Sequence, residues 1–227
     1  MATKKYKSTR QIPTSKDFNK KTINDKLYGF FQINSYLGLD EDDQPVRFIY
    51  RRNFTNEGLA DVLGISTMQA KRQVKVLKVA GFIADGKVWN KEKTTLHRAF
   101  VLTEYEKEIQ YIQFDTLKKL VALTNKNVIK VYAHLLGWYG LKQNTGSNFI
   151  FTKKQLILYC FGVKSTTNQA DYEAINIILE GLVLLGLIEY KYIVCDSPEG
   201  HYHTRMELTK VNKTVKEVSI EKSSISA

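Results

Sequence analysis

The chain has 227 residues, 43% of them apolar, and its formal net charge is +11 at pH 7. This apolar content excludes broad disorder, and the length is enough for one or two folded domains. An excess of positive charge favours an anionic partner, and nucleic acid is the commonest such partner for a soluble protein. No apolar run is long enough to cross a bilayer, so we expect no membrane association and a cytoplasmic location.

The sequence lacks the usual equipment of an enzyme. The two cysteines, Cys160 and Cys195, do not have the spacing of a redox or metal motif. There is also no glycine-rich phosphate loop, no nucleophile elbow and no cluster of histidines and cysteines with metal-ligand spacing. We therefore expect no catalytic activity, no cofactor and no bound metal.

Residues 1–26 are polar and rich in lysine, with few side chains that could pack. This composition predicts a basic flexible arm. Two roles remain open for it: a solvated leader, or a set of additional phosphate contacts, because cations near DNA release counterions. The concentrated apolar residues of 28–39 then mark the start of the first domain.

Residues 54–83 have the pattern of two helices joined by a tight turn. Their apolar residues recur at the spacing that places them on the inner faces of two crossing helices. Gly64 stands where the chain must turn, since glycine adopts positive φ at little cost, and Ser66 follows as an N-cap. The polar and cationic positions of the second helix are Thr67, Gln69, Lys71, Arg72, Lys75 and Lys78. One face therefore packs and the other is cationic, as a DNA-recognition helix requires.

This segment resembles the helix-turn-helix of winged-helix DNA-binding proteins, including the GntR and MarR types. The family pattern has a Leu-Ala start, a Gly-hydrophobic-Ser turn, a third helix rich in arginine and lysine, and a closing glycine followed by an aromatic or aliphatic residue and isoleucine. In this chain these positions are Leu59, Ala60, Gly64, Ile65, Ser66, Lys71, Arg72, Gly81, Phe82 and Ile83. The resemblance implies that the helix after the turn is the recognition helix.

A β-hairpin is predicted directly after this helix. Asp85-Gly86 is a turn signal, while residues 87–89 and 99–103 have strand character. The resemblance implies that this hairpin is a wing that lies along the DNA backbone or in the minor groove, where cations set register and affinity rather than sequence choice. The alternative is a hairpin that only covers the helix edge. The predicted contacts of the wing are Lys87, Lys91, Lys93 and Arg98.

The second half of the chain repeats a sequence pattern of the first half. The run FTNEGLADVLGI, beginning at Phe54, is matched by FTKKQLILYCFGV, beginning at Phe151. The run LKVAGFI, ending at Ile83, is matched by LVLLGLI, ending at Ile188, and a second hairpin is expected from residues 189–195 and 203–209. Agreement of turn, helix end and hairpin in the same order predicts an internal repeat.

The last helix of the second repeat differs from its counterpart. It is apolar over most of its surface and has no lysine or arginine between Thr166 and Gly186. Such a helix is buried on more than one side, either as core or as a site of self-association, so a homodimer or a DNA-directed oligomer is a predicted partner state. If this domain touches DNA, the expected contacts lie at the start of the helix: Lys164, Thr166 and Asn168.

The predicted fold is mainly α with small β-hairpin wings, an α+β arrangement of two tandem winged-helix domains. We expect the basic flexible arm over residues 1–26, the first winged-helix domain over 27–106, the second over 107–211 and a polar tail over 212–227. Whether the second domain contacts DNA or protein stays open.

Two winged helices without a ligand domain resemble the replication initiators of plasmids and phages and their replisome organisers. The resemblance rests on this architecture and on the segments YGFFQIN and YIQFDTLKKL, which are similar to lead-ins of such domains. It implies sequence-specific binding of double-stranded DNA in replication initiation of a mobile element. Three alternatives remain open: a transcriptional regulator of mobile-element genes, a DNA partition or scaffold protein, and a protein-only adaptor.

Within the recognition helix, Gln69 and Arg72 are the predicted base contacts, because arginine can pair bidentately with guanine and glutamine with adenine. Thr67, Lys71, Lys75 and Lys78 are the predicted phosphate contacts, and Ser66 completes the predicted DNA-binding set of this segment.

Overall fold

The computed structural model describes residues 9–123, 125–163, 165, 168–196 and 202–214. Within these residues the chain forms seven α-helices and nine strands, and the strands make three antiparallel sheets. The prediction of a mainly α fold, with two tandem winged-helix domains and small hairpin wings, is therefore wrong. Alternating polar, β-branched and aromatic residues, as in the IEYKYIVCD run of Ile188–Asp196, extend the hairpins into long strands.

The elements follow one another with short connections. The strands are β1 (Thr9–Pro13), β2 (Tyr36–Leu39), β3 (Pro45–Tyr50), β4 (Ile83–Trp89), β5 (Leu96–Leu102), β6 (Ile109–Gln113), β7 (Phe149–Phe151), β8 (Ile188–Asp196) and β9 (Tyr202–Val211). The α-helices are α1 (Asp25–Ile33), α2 (Asn56–Leu63), α3 (Thr67–Val79), α4 (Phe114–Ala122), α5 (Val128–Asn144), α6 (Lys153–Cys160) and α7 (Gln169–Leu184). A 3₁₀ turn, Arg51–Asn53, links β3 to α2.

The smallest sheet joins the beginning of the chain to its middle. β1 pairs antiparallel with β6, with Thr9 opposite Gln113. Residues 9–26, which the sequence analysis assigned to a flexible arm, contain this strand and the start of α1. Ile12, Phe18 and Ile23 from this segment are buried in the core. A few apolar side chains thus anchor a segment whose overall composition is polar.

The four-stranded sheet has the order β2-β3-β5-β4 and curls back on itself. An isolated bridge between Asp40 and Val88 brings the end of β2 back to β4. Val88 is buried with Phe48 and Ala99 in a small apolar cluster of its own. A Cβ added at Gly38 would lie 2.6 Å from the Phe48 ring, so glycine lets β2 approach this cluster closely. The β4–β5 hairpin is therefore one wall of a curled sheet.

The two halves of the chain repeat one order of elements. The series α1–β3–α2–α3–β4–β5 recurs as α5–β7–α6–α7–β8–β9, and the sheet order β3-β5-β4 recurs as β7-β9-β8. Gly64 and Gly162 stand after the equivalent helices α2 and α6 with φ values of 64° and 63°. The internal repeat in the sequence thus corresponds to a repeated structural unit. In the described part of the second half, no strand corresponds to β2.

One buried apolar cluster includes side chains from both repeats. The buried carboxylate of Asp25 accepts the backbone N–H groups of Asn127, Ile129 and Lys130 at distances of 2.7, 2.9 and 3.2 Å. A residue of α1 therefore caps α5 of the other half. The predicted boundary between residues 106 and 107 falls between β5 and β6. The division into domains stays a prediction.

Candidate nucleic-acid interface

Local signals in the sequence make α2 and α3 a pair of helices. Thr55 Oγ1 accepts the N–H of Gly58 at 3.1 Å, and Ser66 Oγ accepts the N–H of Gln69 at 3.3 Å. Each hydroxyl satisfies a helix-start amide that has no partner within its helix. Between the two helices Gly64 adopts the left-handed conformation that the turn needs. The turn and the caps fix the direction in which α3 leaves α2.

The apolar face of α3 packs inward and leaves its cationic face outside. Ala70, Val74 and Leu77 are buried. These positions are spaced by three and four residues, so they lie on one side of the helix. The exposed side chains on the remaining surface include the predicted contacts Thr67, Gln69, Lys71, Arg72 and Lys75.

An open groove of about 630 Å³ lies between α3, the start of α2 and the 3₁₀ turn. From α3 it is lined by four predicted contacts, which are Lys71, Arg72, Lys75 and Lys78. Arg51 of the 3₁₀ turn is a fifth cation in the lining, and Glu57 supplies the one carboxylate of the lining. Sequence reasoning missed Arg51. The signal that could have found it is the Arg51-Arg52 pair directly after a strand.

The cations of this groove differ in their partners. In the part of the chain that the structure describes, no carboxylate lies within 4.0 Å of Lys71, Arg72 or Lys75. These three side chains can therefore bind an anion without breaking an ion pair. The other two cations of the groove, Lys78 and Arg51, share one carboxylate as their partner.

Asp85 of β4 neutralises the edge of the groove. Lys78 Nζ lies 2.6 Å from Asp85 Oδ2, and Arg51 Nη1 lies 3.5 Å from Asp85 Oδ1. Both cationic groups also lie 5.0 Å from the centre of the Phe100 ring. A phosphate contact by Lys78, as predicted, would compete with this carboxylate.

Gln69 has a role within α3 itself. Its Oε1 accepts the N–H of Ser66 at 3.1 Å, which completes a reciprocal capping box at the start of the helix. Bidentate pairing with adenine needs the same oxygen as an acceptor. Reading a base with Gln69 would therefore open the cap, whereas Arg72 can reach a base without such a loss.

The β4–β5 hairpin carries the four predicted wing contacts, and two of them are in ion pairs. Lys87 Nζ lies 3.4 Å from Glu41 Oε2, and Lys93 Nζ lies 2.8 Å from Asp43 Oδ1. Both carboxylates come from the acidic turn between β2 and β3.

The other two wing contacts, Lys91 and Arg98, are exposed. Neither has a carboxylate within 4.0 Å among the described residues. Arg98 lies directly opposite Lys87 in the pairing of β4 with β5. The hairpin therefore carries two exposed cations that no carboxylate of the described residues neutralises.

The predicted contacts of the second half are only partly visible. Lys164 and Thr166 lie outside the described residues. Asn168 is the N-cap of α7, and its Oδ1 accepts the N–H of Ala170 at 3.0 Å. Its side chain thus has a structural role at the start of this helix.

The outer surface of α7 has a different chemistry from that of α3. Ile177 and Leu184 are 53% and 78% exposed, and Glu180 between them is also exposed. This surface is apolar and acidic where the equivalent helix of the first repeat is cationic. Acidic groups repel phosphate, so α3 is the better nucleic-acid surface of the two.

No group of three or more histidine, cysteine, aspartate or glutamate side chains in the described ranges is arranged to hold a metal ion. None of the helices formed by these residues has the length and apolar character needed to cross a bilayer. A scan against protein-family models and a search of curated proteins find no match to this chain. The assignment of the site therefore depends on its geometry and charge.

Proposed function

We propose that this chain binds double-stranded DNA sequence-specifically through the outward face of α3. The observation that carries the proposal is the set of exposed cations Lys71, Arg72 and Lys75, which line one groove without carboxylate partners among the described residues. Neutralising phosphates with such groups releases the counterions that DNA condenses, which favours binding. Arg72 is the candidate for reading guanine, since its planar guanidinium can donate two parallel hydrogen bonds.

We further propose that the protein serves replication initiation of a plasmid or phage in the cytoplasm. The support is the resemblance of the segments YGFFQIN and YIQFDTLKKL to lead-ins of initiator domains, together with the repeat of one structural unit in the two halves. Footprinting on fragments selected from the host replicon tests this role. Iterated protected sites at an origin are the expected result. A single inverted repeat over a promoter would instead assign the protein to transcriptional regulation.

Self-association through the second half, as a homodimer or a DNA-directed oligomer, stays a prediction. Its candidate surface is the exposed apolar part of α7 around Leu184. If Leu184→Glu and the parent chain sediment alike at every concentration, with and without DNA, this surface is not the contact.

The proposed DNA contacts can be tested by anisotropy titrations of a duplex at several salt concentrations. Arg72→Ala should cost about 1–3 kcal/mol of binding free energy and relax the preference at one base step. Lys75→Ala should weaken binding to all sequences alike and reduce the salt slope by about one. The two variants thus separate base reading from phosphate contact.

The matched control for both variants is Lys142→Ala, which removes an exposed lysine of α5 in the other half. It should leave affinity and preference nearly unchanged. Unaltered affinity and preference in Arg72→Ala would show that α3 is not the recognition element.

A further inference from the structure

A second groove, of about 370 Å³, lies between β2 and the tip of the β4–β5 hairpin. It shares no lining residue with the groove beside α3. Its lining is rich in aromatic side chains and also contains two lysines: Tyr36, Phe48, Tyr50, Trp89, Lys91 and Lys93. The duplex-binding assignment uses none of the four aromatic residues.

Three rings of this groove, those of Tyr36, Phe48 and Tyr50, form a connected cluster with an exposed end. Tyr36 is 55% exposed, and its ring centre lies 6.1 Å from that of Phe48 and 6.4 Å from that of Tyr50. Phe48 is buried in the cluster inside the curled sheet and so fixes the base of the ring set. The Arg52 guanidinium lies 5.2 Å from the centre of the Tyr50 ring. Aromatic faces held in this way are available for stacking.

The charges around the groove are mixed, which limits the kinds of ligand. Lys91 and Arg52 are exposed cations, whereas Lys93 is held by Asp43 of the acidic turn. Attraction of phosphate alone is therefore weaker here than beside α3. A ligand that fits must offer flat rings for stacking and phosphates for the two available cations.

We propose that this groove binds single-stranded DNA, with bases stacked on Tyr36 and Trp89 and phosphates near Lys91 and Arg52. Stacking on aromatic side chains accepts every base, because every base has a π-face, and cations along the groove follow the backbone. Duplex DNA cannot use this site, since its bases are already stacked and paired. The site goes beyond duplex recognition by α3 and does not depend on it. Lys91 is also a predicted wing contact, so a duplex that reaches the hairpin tip would compete with the single strand for this lysine.

The test is a titration of the full chain with a labelled oligo(dT), which forms no duplex, beside a duplex titration in the same buffer. Tyr36→Ala should weaken oligo(dT) binding about tenfold and leave duplex affinity unchanged. Tyr159→Ala is the matched control, because Tyr159 is 58% exposed and lies in the other half. It should leave both affinities unchanged.

Asp43→Asn tests the same site with a change of the opposite sign. It frees Lys93 from its ion pair and should strengthen oligo(dT) binding several-fold. The φ of Asp43 is 58°, a conformation that asparagine also tolerates, so this variant keeps the turn. It keeps the size of the side chain, so it tests the charge of the groove even if Tyr36→Ala fails to fold.

Tryptophan fluorescence gives an independent readout, because the chain has two tryptophans and only Trp89 lines this groove. Oligo(dT) should quench the fluorescence of the parent chain and of Trp138→Phe, but not that of Trp89→Phe. Unchanged oligo(dT) affinity in folded Tyr36→Ala, or in Asp43→Asn, would overturn the proposal. Tighter binding of oligo(U) than of oligo(dT) would also overturn it, in favour of RNA.

Discussion

At the scale of single residues, His134 is a buried base that the fold keeps neutral. It is 8% exposed, and its Nε2 lies 2.7 Å from Asn19 Nδ2. The same nitrogen of Asn19 donates to the carbonyl of Thr14 at 3.4 Å, so it is a donor and His134 Nε2 accepts. Burial and, to a lesser extent, the nearby Lys130 ammonium lower the pKa of His134 to about 4. A protonated imidazole would place two donors against each other.

This arrangement predicts that acid weakens the fold through His134. In the unfolded chain its pKa is near 6.5, so below that pH the unfolded state binds a proton that the folded state does not. The stability that His134 contributes is thus complete above pH 6.5 and is lost as the pH falls towards 4. Between pH 7 and pH 5 the loss should be about 2 kcal/mol of unfolding free energy.

Urea unfolding of the parent chain and of His134→Gln at both pH values measures this contribution. Glutamine cannot titrate, so the variant should lack this part of the pH dependence. The same decrease in both proteins would mean that other groups account for it.

At the scale of elements, the repeat offers a matched pair of glycines. Gly64 and Gly162 have nearly the same positive φ, but an added Cβ meets nothing within 4 Å at Gly64. At Gly162 it would lie 2.8 Å from the Cα of Lys20 and closer still to the carbonyl oxygen of Asn19. Gly64→Ala should therefore cost about 1 kcal/mol of backbone strain, and Gly162→Ala about 3 kcal/mol.

Urea unfolding at neutral pH compares the two glycine variants directly. Circular dichroism of each folded variant serves as the control for retained secondary structure. Equal losses in stability would show that residues 19–20 move aside freely. They would contradict the explanation that a Cβ at Gly162 clashes with these residues.

The elements that could be predicted from the sequence are those with local signals. The pair α2–α3 has two side-chain caps, a glycine in its turn and apolar residues at helical spacing. The pairing of β1 with β6 has no such signal, because its partners are far apart in the chain and TRQIP lacks an alternating apolar pattern. Curling of the four-stranded sheet depends likewise on the contact of Asp40 with Val88 across the sheet.

The same distinction holds for the candidate site. The outward position of Arg72 and Lys75 follows from the helical period, which the sequence contains. The ion pairs of Lys78 and Lys93 do not, because their partners come from strands and turns that only the sheet brings near. Gln69 had a local signal, since serine followed three residues later by glutamine is a capping box.

At the scale of the whole molecule, the contacts between the halves predict a single unfolding transition. Both repeats share one buried cluster, and Lys130 Nζ of α5 donates to the carbonyl of Ile23 at 2.9 Å. Denaturation in urea should then give the same midpoint in two variants. The remaining tryptophan of Trp89→Phe reports on the second half, and that of Trp138→Phe reports on the first.

Asp25→Ala, which uncaps α5, should lower the free energy of unfolding by about 3 kcal/mol. Both tryptophans should report the same decrease in midpoint. Separate midpoints, or a shift confined to one tryptophan, would mean that two independently folded domains meet near residue 106.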